Sequence, residues 1–175
     1  PLRTRWLCTA EVARIIGMPI LSGPLRWSVS TMCPAPERTA SSASARMFCS
    51  PLFRLPAPAA NVQSISTTQY RLAKNSCVAK ALMAAARNGK RVTVLVEPQA
   101  RFDEKANIHW ANEYRDAGVR VILGIPGLKV HSKLLLVVRK EQGKLRRYTG
   151  LGTGNFNEDT ATIFADHLLL TANPE

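Results

Sequence analysis

The chain has 175 residues, 46% of them hydrophobic, which is enough for one domain with a real core. Its 24 Lys and Arg outnumber 12 Asp and Glu, for a net charge of +12, and such a surface suits a polyanion: nucleic acid, an anionic membrane or polyphosphate. No apolar run approaches the ~20 residues of a membrane span, and the four cysteines (Cys8, Cys33, Cys49, Cys77) lack metal-ligand spacing, so a transmembrane helix, a zinc site and a disulfide scaffold are excluded.

Charge by itself does not choose among those partners, and a solvated basic surface with no specific partner is the plain alternative. Reduced thiols, and the lack of a clean leader after Pro1-Leu2-Arg3-Thr4-Arg5-Trp6, predict a cytoplasmic location, with membrane association as the variant. The chain opens on Pro1, so a fragment of a longer protein is expected. Residues 1–60 hold seven arginines, no lysine and no aspartate, with runs such as Ser41-Ser42-Ala43-Ser44. That is loop composition. Glu11 to Met18 fits one short amphipathic helix. Two readings of this stretch stay open: a disordered basic arm, or sequence foreign to the fold that follows, as from a mis-read frame.

From Asn61 the texture changes. Val62 to Thr67 predicts a strand, and Asn75 or Ser76 caps a helix carrying Val78, Leu82, Met83 and Ala86 on one face. Asn88-Gly89 stops it. Arg91 to Val96 is the next strand, closed by Glu97-Pro98. Asp103 caps a second helix with Ala106, Trp110, Tyr114 and Ala117 at helical spacing. Val119 to Leu123 is a third strand, and Gly124 to Lys129 a loop. The apolar run after His131-Ser132-Lys133 is a buried strand, turned by Glu141-Gln142-Gly143-Lys144 into a hairpin with Leu145 to Tyr148. A glycine loop, a helix from Asn157 through Phe164 and a last strand from His167 follow. The alternation predicts an α/β fold: a mixed, mostly parallel sheet flanked by helices.

Two stretches carry chemistry. On a strand, His131 and Lys133 leave the backbone on the same side, about 7 Å apart. An imidazole can attack phosphorus while an ammonium holds a phosphate oxygen. Taken alone, the pair is more often structural. Gly152-Thr153-Gly154-Asn155 lets backbone approach an anion, and running into a helix N-terminus favours anions further. It is neither a P-loop nor a dinucleotide fingerprint. Arg71 and Arg101 each follow a strand and are expected to converge on the same anionic site. His109 and His167 read as surface or structural residues, and Asp103-Glu104 as a helix cap rather than a metal site.

The combination of HxK, strand, hairpin and a glycine turn ending in Asn resembles a phospholipase D superfamily half-site. Val138 stands where that motif carries aspartate, which disfavours a phosphodiesterase or nuclease. Residues 61–175 more narrowly resemble the first C-terminal catalytic domain of polyphosphate kinase. The matching stretches include Tyr70-Arg71, Asn88 to Val94, Ala100-Arg101-Phe102-Asp103-Glu104, Ala106 to Trp110, Gly127 to Lys133, Gly152 to Asn157 and Leu169 to Ala172. The resemblance implies a histidine, His131, that carries phosphate between ATP and polyphosphate, with ADP as the other product. It implies Mg2+, whose family site falls on Arg71 and Arg101. Arginine is a poor metal ligand, so both read physically as phosphate clamps, with the metal held by the phosphates. Lys133 becomes a further phosphate contact, and Phe164 falls on a tyrosine that contacts ATP. A homo-oligomer is implied too, and no specific nucleic acid. Ser66, Gln69, Gly150 and Thr162 depart from the family pattern. The alternatives are a phospholipase D-type phosphodiesterase and an inactive polyanion-binding fragment.

Overall fold

The structure, a computed structural model, describes residues 61–172 together with Arg5–Trp6. The expected helix at Glu11 to Met18, and the rest of residues 1–60 apart from Arg5–Trp6, lie outside the described residues. The elements are β1 (Arg5–Trp6), β2 (Val62–Gln69), α1 (Cys77–Arg87), β3 (Arg91–Val96), α2 (Glu104–Asp116) and β4 (Arg120–Leu123). They continue with β5 (Leu128–Lys129), β6 (Lys133–Glu141), β7 (Lys144–Gly152), a single 3-10 turn at Thr160–Thr162 and β8 (Leu168–Thr171).

The main sheet has six strands in the order β4-β3-β2-β6-β7-β8. Strands β2, β3 and β4 run parallel, whereas β6 is antiparallel to β2, β7 to β6 and β8 to β7. The sheet is mixed, as alternation and hairpin together predict, but it is not mostly parallel: only two of its five pairings are parallel, because the β6-β7 hairpin and β8 add antiparallel strands on one side of β2. The hairpin turn is the two residues Gln142 and Gly143, both with positive φ (49° and 80°), the geometry whose twist matches flanking strands. Beside the main sheet, β1 pairs in parallel with β5.

Sequence pattern decides which face is covered. Val92, Val94 and Val96 alternate along β3 and bury against α1 (Val78, Leu82, Met83) and α2 (Trp110, Tyr114). Leu135 and Val137 of β6 join the same cluster. Each buried side chain of that size contributes roughly 1.5–3 kcal/mol relative to exposure. Both helices therefore serve one face, not two. The other face gathers Leu95, Leu134 and Leu136 under Val130, with Ile122, Ile125 and Leu128 partly buried on it. Helix α1 starts where Ser76 predicts, its Oγ accepting from Ala79 N–H at 3.2 Å. The helix expected from Asn157 through Phe164 is only the 3-10 turn. Asn157 Oδ1 accepts from Asp159 and Thr160 N–H (2.9 and 3.1 Å), an Asx turn that competes with continued helix.

Candidate active site

One end of the sheet collects the chemistry. Strand β2 runs out into Tyr70-Arg71 and β3 into Glu97. Because β6 is antiparallel to β2, its first residue, Lys133, lies at that same end, and Gly152 at the end of β7 sits opposite Lys133. This is where an open sheet containing parallel strands offers its loops.

His131 does not lie on the strand; β6 begins at Lys133. The two side chains nevertheless meet. Lys133 Nζ is 3.0 Å from each ring nitrogen of His131 and donates to the His131 carbonyl at 2.6 Å. His131 is exposed as a whole residue, but Tyr70 and Lys133 cover part of its ring, whereas Lys133 is only 5% exposed. The Tyr70 ring packs edge-to-face on the imidazole, centroids 4.6 Å apart and planes at 80°. Lys133 Nζ (5.5 Å), Lys129 Nζ (5.7 Å) and Arg71 Cζ (5.7 Å) lie within cation–π range of that ring. Burial, then Lys133, Arg71 and Lys129, hold the His131 pKa below its ordinary 6.5. Burial pushes Lys133 down to about 8; Arg71 acts in the same direction and Asp166 against it. The result is a neutral imidazole beside a crowded set of cations, which suits a nucleophile facing a phosphate.

Arg71 and Arg101 are linked, but not as symmetric clamps. Arg71 Nη2 donates to the Arg101 carbonyl at 3.3 Å, and its Nε lies 2.9 Å from Asp103 Oδ2. The Arg101 guanidinium is exposed over the Phe102 ring, 5.0 Å from its centroid. Phe102 takes φ = 73°, an uncommon conformation outside glycine, where the chain turns between Arg101 and Asp103. Asp103 occupies the N-cap position of α2 but makes no side-chain cap bond. Its carboxylate faces Arg71 instead, so Asp103 holds the expected cap position through its backbone alone.

The glycine stretch also differs from expectation. Gly152 belongs to β7, and no helix follows to lend a dipole to Thr153, Gly154 or Asn155. The open side of Gly154 is filled by Asp166, whose Oδ2 lies 1.9 Å from where a Cβ would stand. Thr153 Oγ1 donates to Asp166 Oδ1 at 3.0 Å. The backbone does approach a carboxylate closely there, but the protein's own. Asn155 Oδ1 is buried without a partner. Phe164 stands 60% exposed just past the 3-10 turn. His109 and His167 are exposed, as expected for surface residues.

Mg2+ requires oxygen ligands in near-octahedral array. Arg71 and Arg101 offer only N–H donors, Asp103 faces Arg71, and Asp166 faces Thr153. Among the described residues no group of three or more His, Cys, Asp or Glu gathers. These residues do not form a protein-held Mg2+ site.

Several residues at this end escape a reading by motif. Lys129 had a signal, since 129, 131 and 133 alternate along an extended segment. Tyr70 had none beyond its place beside Arg71. Glu97, Asn107, Thr68 and Asp166 had none, because each acts through the fold. Of the departures from the family pattern, Gln69 is accommodated. It is 4% exposed, and its Oε1 accepts from the Tyr114 hydroxyl at 2.8 Å, although its Nε2 is buried and unpaired. Val138, in place of an aspartate, is partly buried against the second cluster and supplies no carboxylate.

The chain is similar to known proteins over this whole region. The family model described as polyphosphate kinase C-terminal domain 1 matches residues 47–175. The polyphosphate kinase of Escherichia coli (strain K12) is 55% identical over 113 residues, covering 65% of this chain and 16% of that protein. That of Vibrio vulnificus (strain YJ016) is 56% identical over 114 residues, with the same coverage. The chain thus spans about a sixth of the length of these curated relatives. Among solved structures, polyphosphate kinase from Porphyromonas gingivalis superposes with a TM-score of 0.59 at 44% identity, over 70% of this chain and 20% of that one. A phospholipase D family member, Nuc from Salmonella typhimurium, superposes with a TM-score of 0.51 at 18% identity, over 70% and 74% of the two chains, a likeness of fold alone. Mixed sheet, helices on one face and a site at the strand ends fit a phospholipase D-like half, and the chain belongs to the polyphosphate kinase C-terminal domain 1 family.

Proposed function

We propose that this chain carries the phosphohistidine half-site of a polyphosphate kinase, moving the terminal phosphate of ATP reversibly onto polyphosphate. The observation that carries the reading is His131: a ring biased to its neutral form, 3.0 Å from the Lys133 ammonium and packed on Tyr70. In the first step a lone pair of the imidazole attacks the γ-phosphorus. The bond to the bridging oxygen breaks, and ADP leaves with that electron pair. As ATP enters, before that attack, Lys133 exchanges its ring contact for a phosphate oxygen, which both frees the ring nitrogen and stabilises charge on the transferring group. In the second step a terminal oxygen of polyphosphate attacks the same phosphorus, the P–N bond breaks and the imidazole is regenerated.

Arg71 and Lys129 supply further positive charge at the same end of the sheet, and Arg101, whose carbonyl accepts from Arg71, stands exposed. Phe164 offers an exposed ring face for the base of ATP. Any Mg2+ arrives on the phosphates, since the side chains do not hold it. The partial coverage of the relatives makes the substrates part of this proposal. The test is incubation of the chain with γ-labelled ATP and magnesium. Acid-labile, base-stable label on the protein, lost in His131→Ala, is expected; label that persists in His131→Ala refutes the role.

A phospholipase D-type phosphodiesterase is the second reading, on the likeness of fold to Nuc. Cleavage of a bis(4-nitrophenyl) phosphate substrate without ATP would favour it. Apolar Val138 counts against it.

A further inference from the structure

We infer that Glu97 is a positioning residue for His131: its buried carboxylate sets the place of the backbone that carries the imidazole. Glu97 is 1% exposed. A carboxylate out of water needs donors or a cation around it. Its donors are two backbone amides on separate oxygens. Gln99 N–H donates to Oε1 at 2.9 Å, and Val130 N–H to Oε2 at 2.7 Å. The first bond closes a local turn. The second crosses 33 residues to the neighbour of His131.

Residues 130–132 have no ladder of their own, since β5 ends at Lys129 and β6 begins at Lys133. Such a segment takes its position from whatever side chains hold its backbone groups. Glu97 holds its start. Thr68 holds its end, donating from Oγ1 to the Ser132 carbonyl at 2.6 Å and accepting from Leu134 N–H at 2.9 Å. Asn107 braces the arrangement. Its Nδ2 donates to the Glu97 carbonyl (2.9 Å) and to the Tyr70 carbonyl (2.8 Å). One buried amide therefore ties the residue that holds Val130 to the residue whose ring packs on His131. A glutamine at 97 offers one acceptor oxygen and one NH2, so one of the two amides would face a donor.

The functional consequence rests on His131 as the nucleophile; the geometry does not. The test is the NOE between the Tyr70 and His131 rings in the 175-residue chain, compared with Glu97→Gln. We expect it to fall by at least about threefold, the inverse-sixth-power consequence of a shift on the order of 1 Å, while NOEs among Tyr114, Trp110 and Leu82 hold. A merely structural Glu97 would lower Tm and leave the Tyr70–His131 NOE unchanged, and that result overturns the inference. If Glu97→Gln does not fold, Glu97→Asp is read the same way; it keeps both oxygens but withdraws them by about one C–C bond. In the unmodified chain, the Val130 amide hydrogen is expected to exchange at least about 100-fold more slowly than in a free peptide. Exchange at the free rate overturns the inference without any variant. Absence of ATP-derived label with the NOE responding as expected would sink the phosphohistidine reading alone. Label on His131 with an unresponsive NOE would sink the positioning role alone.

Discussion

Replacing Lys133 with methionine should make the fold more stable while removing the phosphate contact proposed for it. Lys133 is 5% exposed; its ammonium touches the His131 ring and lies over the Tyr70 ring together with Arg71 and Lys129. A pKa held at about 8 instead of 10.5 corresponds to ~3 kcal/mol of cost carried by the charged form. Screening by solvent at the mouth of the site leaves about 2 kcal/mol. Loss of the donation to the His131 carbonyl returns about 1 kcal/mol of that. The net gain is on the order of 1 kcal/mol, a rise of about 4 °C in Tm for a domain of this size. The sign of the pH dependence follows. Between about pH 8 and 10.5 the folded protein has lost the Lys133 proton and the unfolded chain still holds it. The unmodified protein therefore gains stability as pH rises through that window, and Lys133→Met does not. Thermal unfolding followed by circular dichroism at pH 7 and pH 10 measures both. A lower Tm for Lys133→Met at pH 7, or a gap that stays the same at pH 10, would show that the buried ammonium is not a net cost to the fold.

Three further outcomes are expected. His131 is held below 6.5, so phosphoenzyme formation should stay level as pH falls through 6.5 and decline only below it; below 6.5 the unfolded chain takes the proton first, so His131 makes the fold less stable there. A rate that halves near pH 7 would argue against a neutral-biased ring. Gly154→Ala places a Cβ 1.9 Å from Asp166 Oδ2, which must move and give up Thr153 Oγ1; about 1–2 kcal/mol of stability should be lost in urea unfolding, and an unchanged midpoint would contradict the contact. Asn107→Leu leaves the Tyr70 and Glu97 carbonyls unpaired in the interior, costing about 2–4 kcal/mol; a loss under about 0.5 kcal/mol would show that water replaces the amide.

The elements were legible where local pattern agrees with tertiary packing. Arg91–Val96 has its predicted bounds, and α1 starts at the Ser76 cap, because alternation and capping are properties of a few adjacent residues. The helix after Asn157 was not legible: its composition permits helix, but the Asn157 side chain satisfies the first amides in a turn. The convergence of His131 and Lys133 was readable from their spacing, although His131 proved to precede the strand. Placing Glu97, Thr68 and Asn107 at the site required the register of β2 against β3 and β6. Each of them bonds to backbone more than 9 residues away or across strands, and no local motif encodes that. The same limit explains Gly154, where a gap suited to a ligand anion is closed by Asp166 from further along the chain.

Whether His131 carries phosphate as an intermediate is decided by a chase. Protein labelled from γ-labelled ATP, freed of nucleotide, is mixed with unlabelled ADP. The label is expected to leave His131 and appear in ATP, faster than it is lost in buffer. Label that stays on the protein, or departs only as inorganic phosphate, would contradict it.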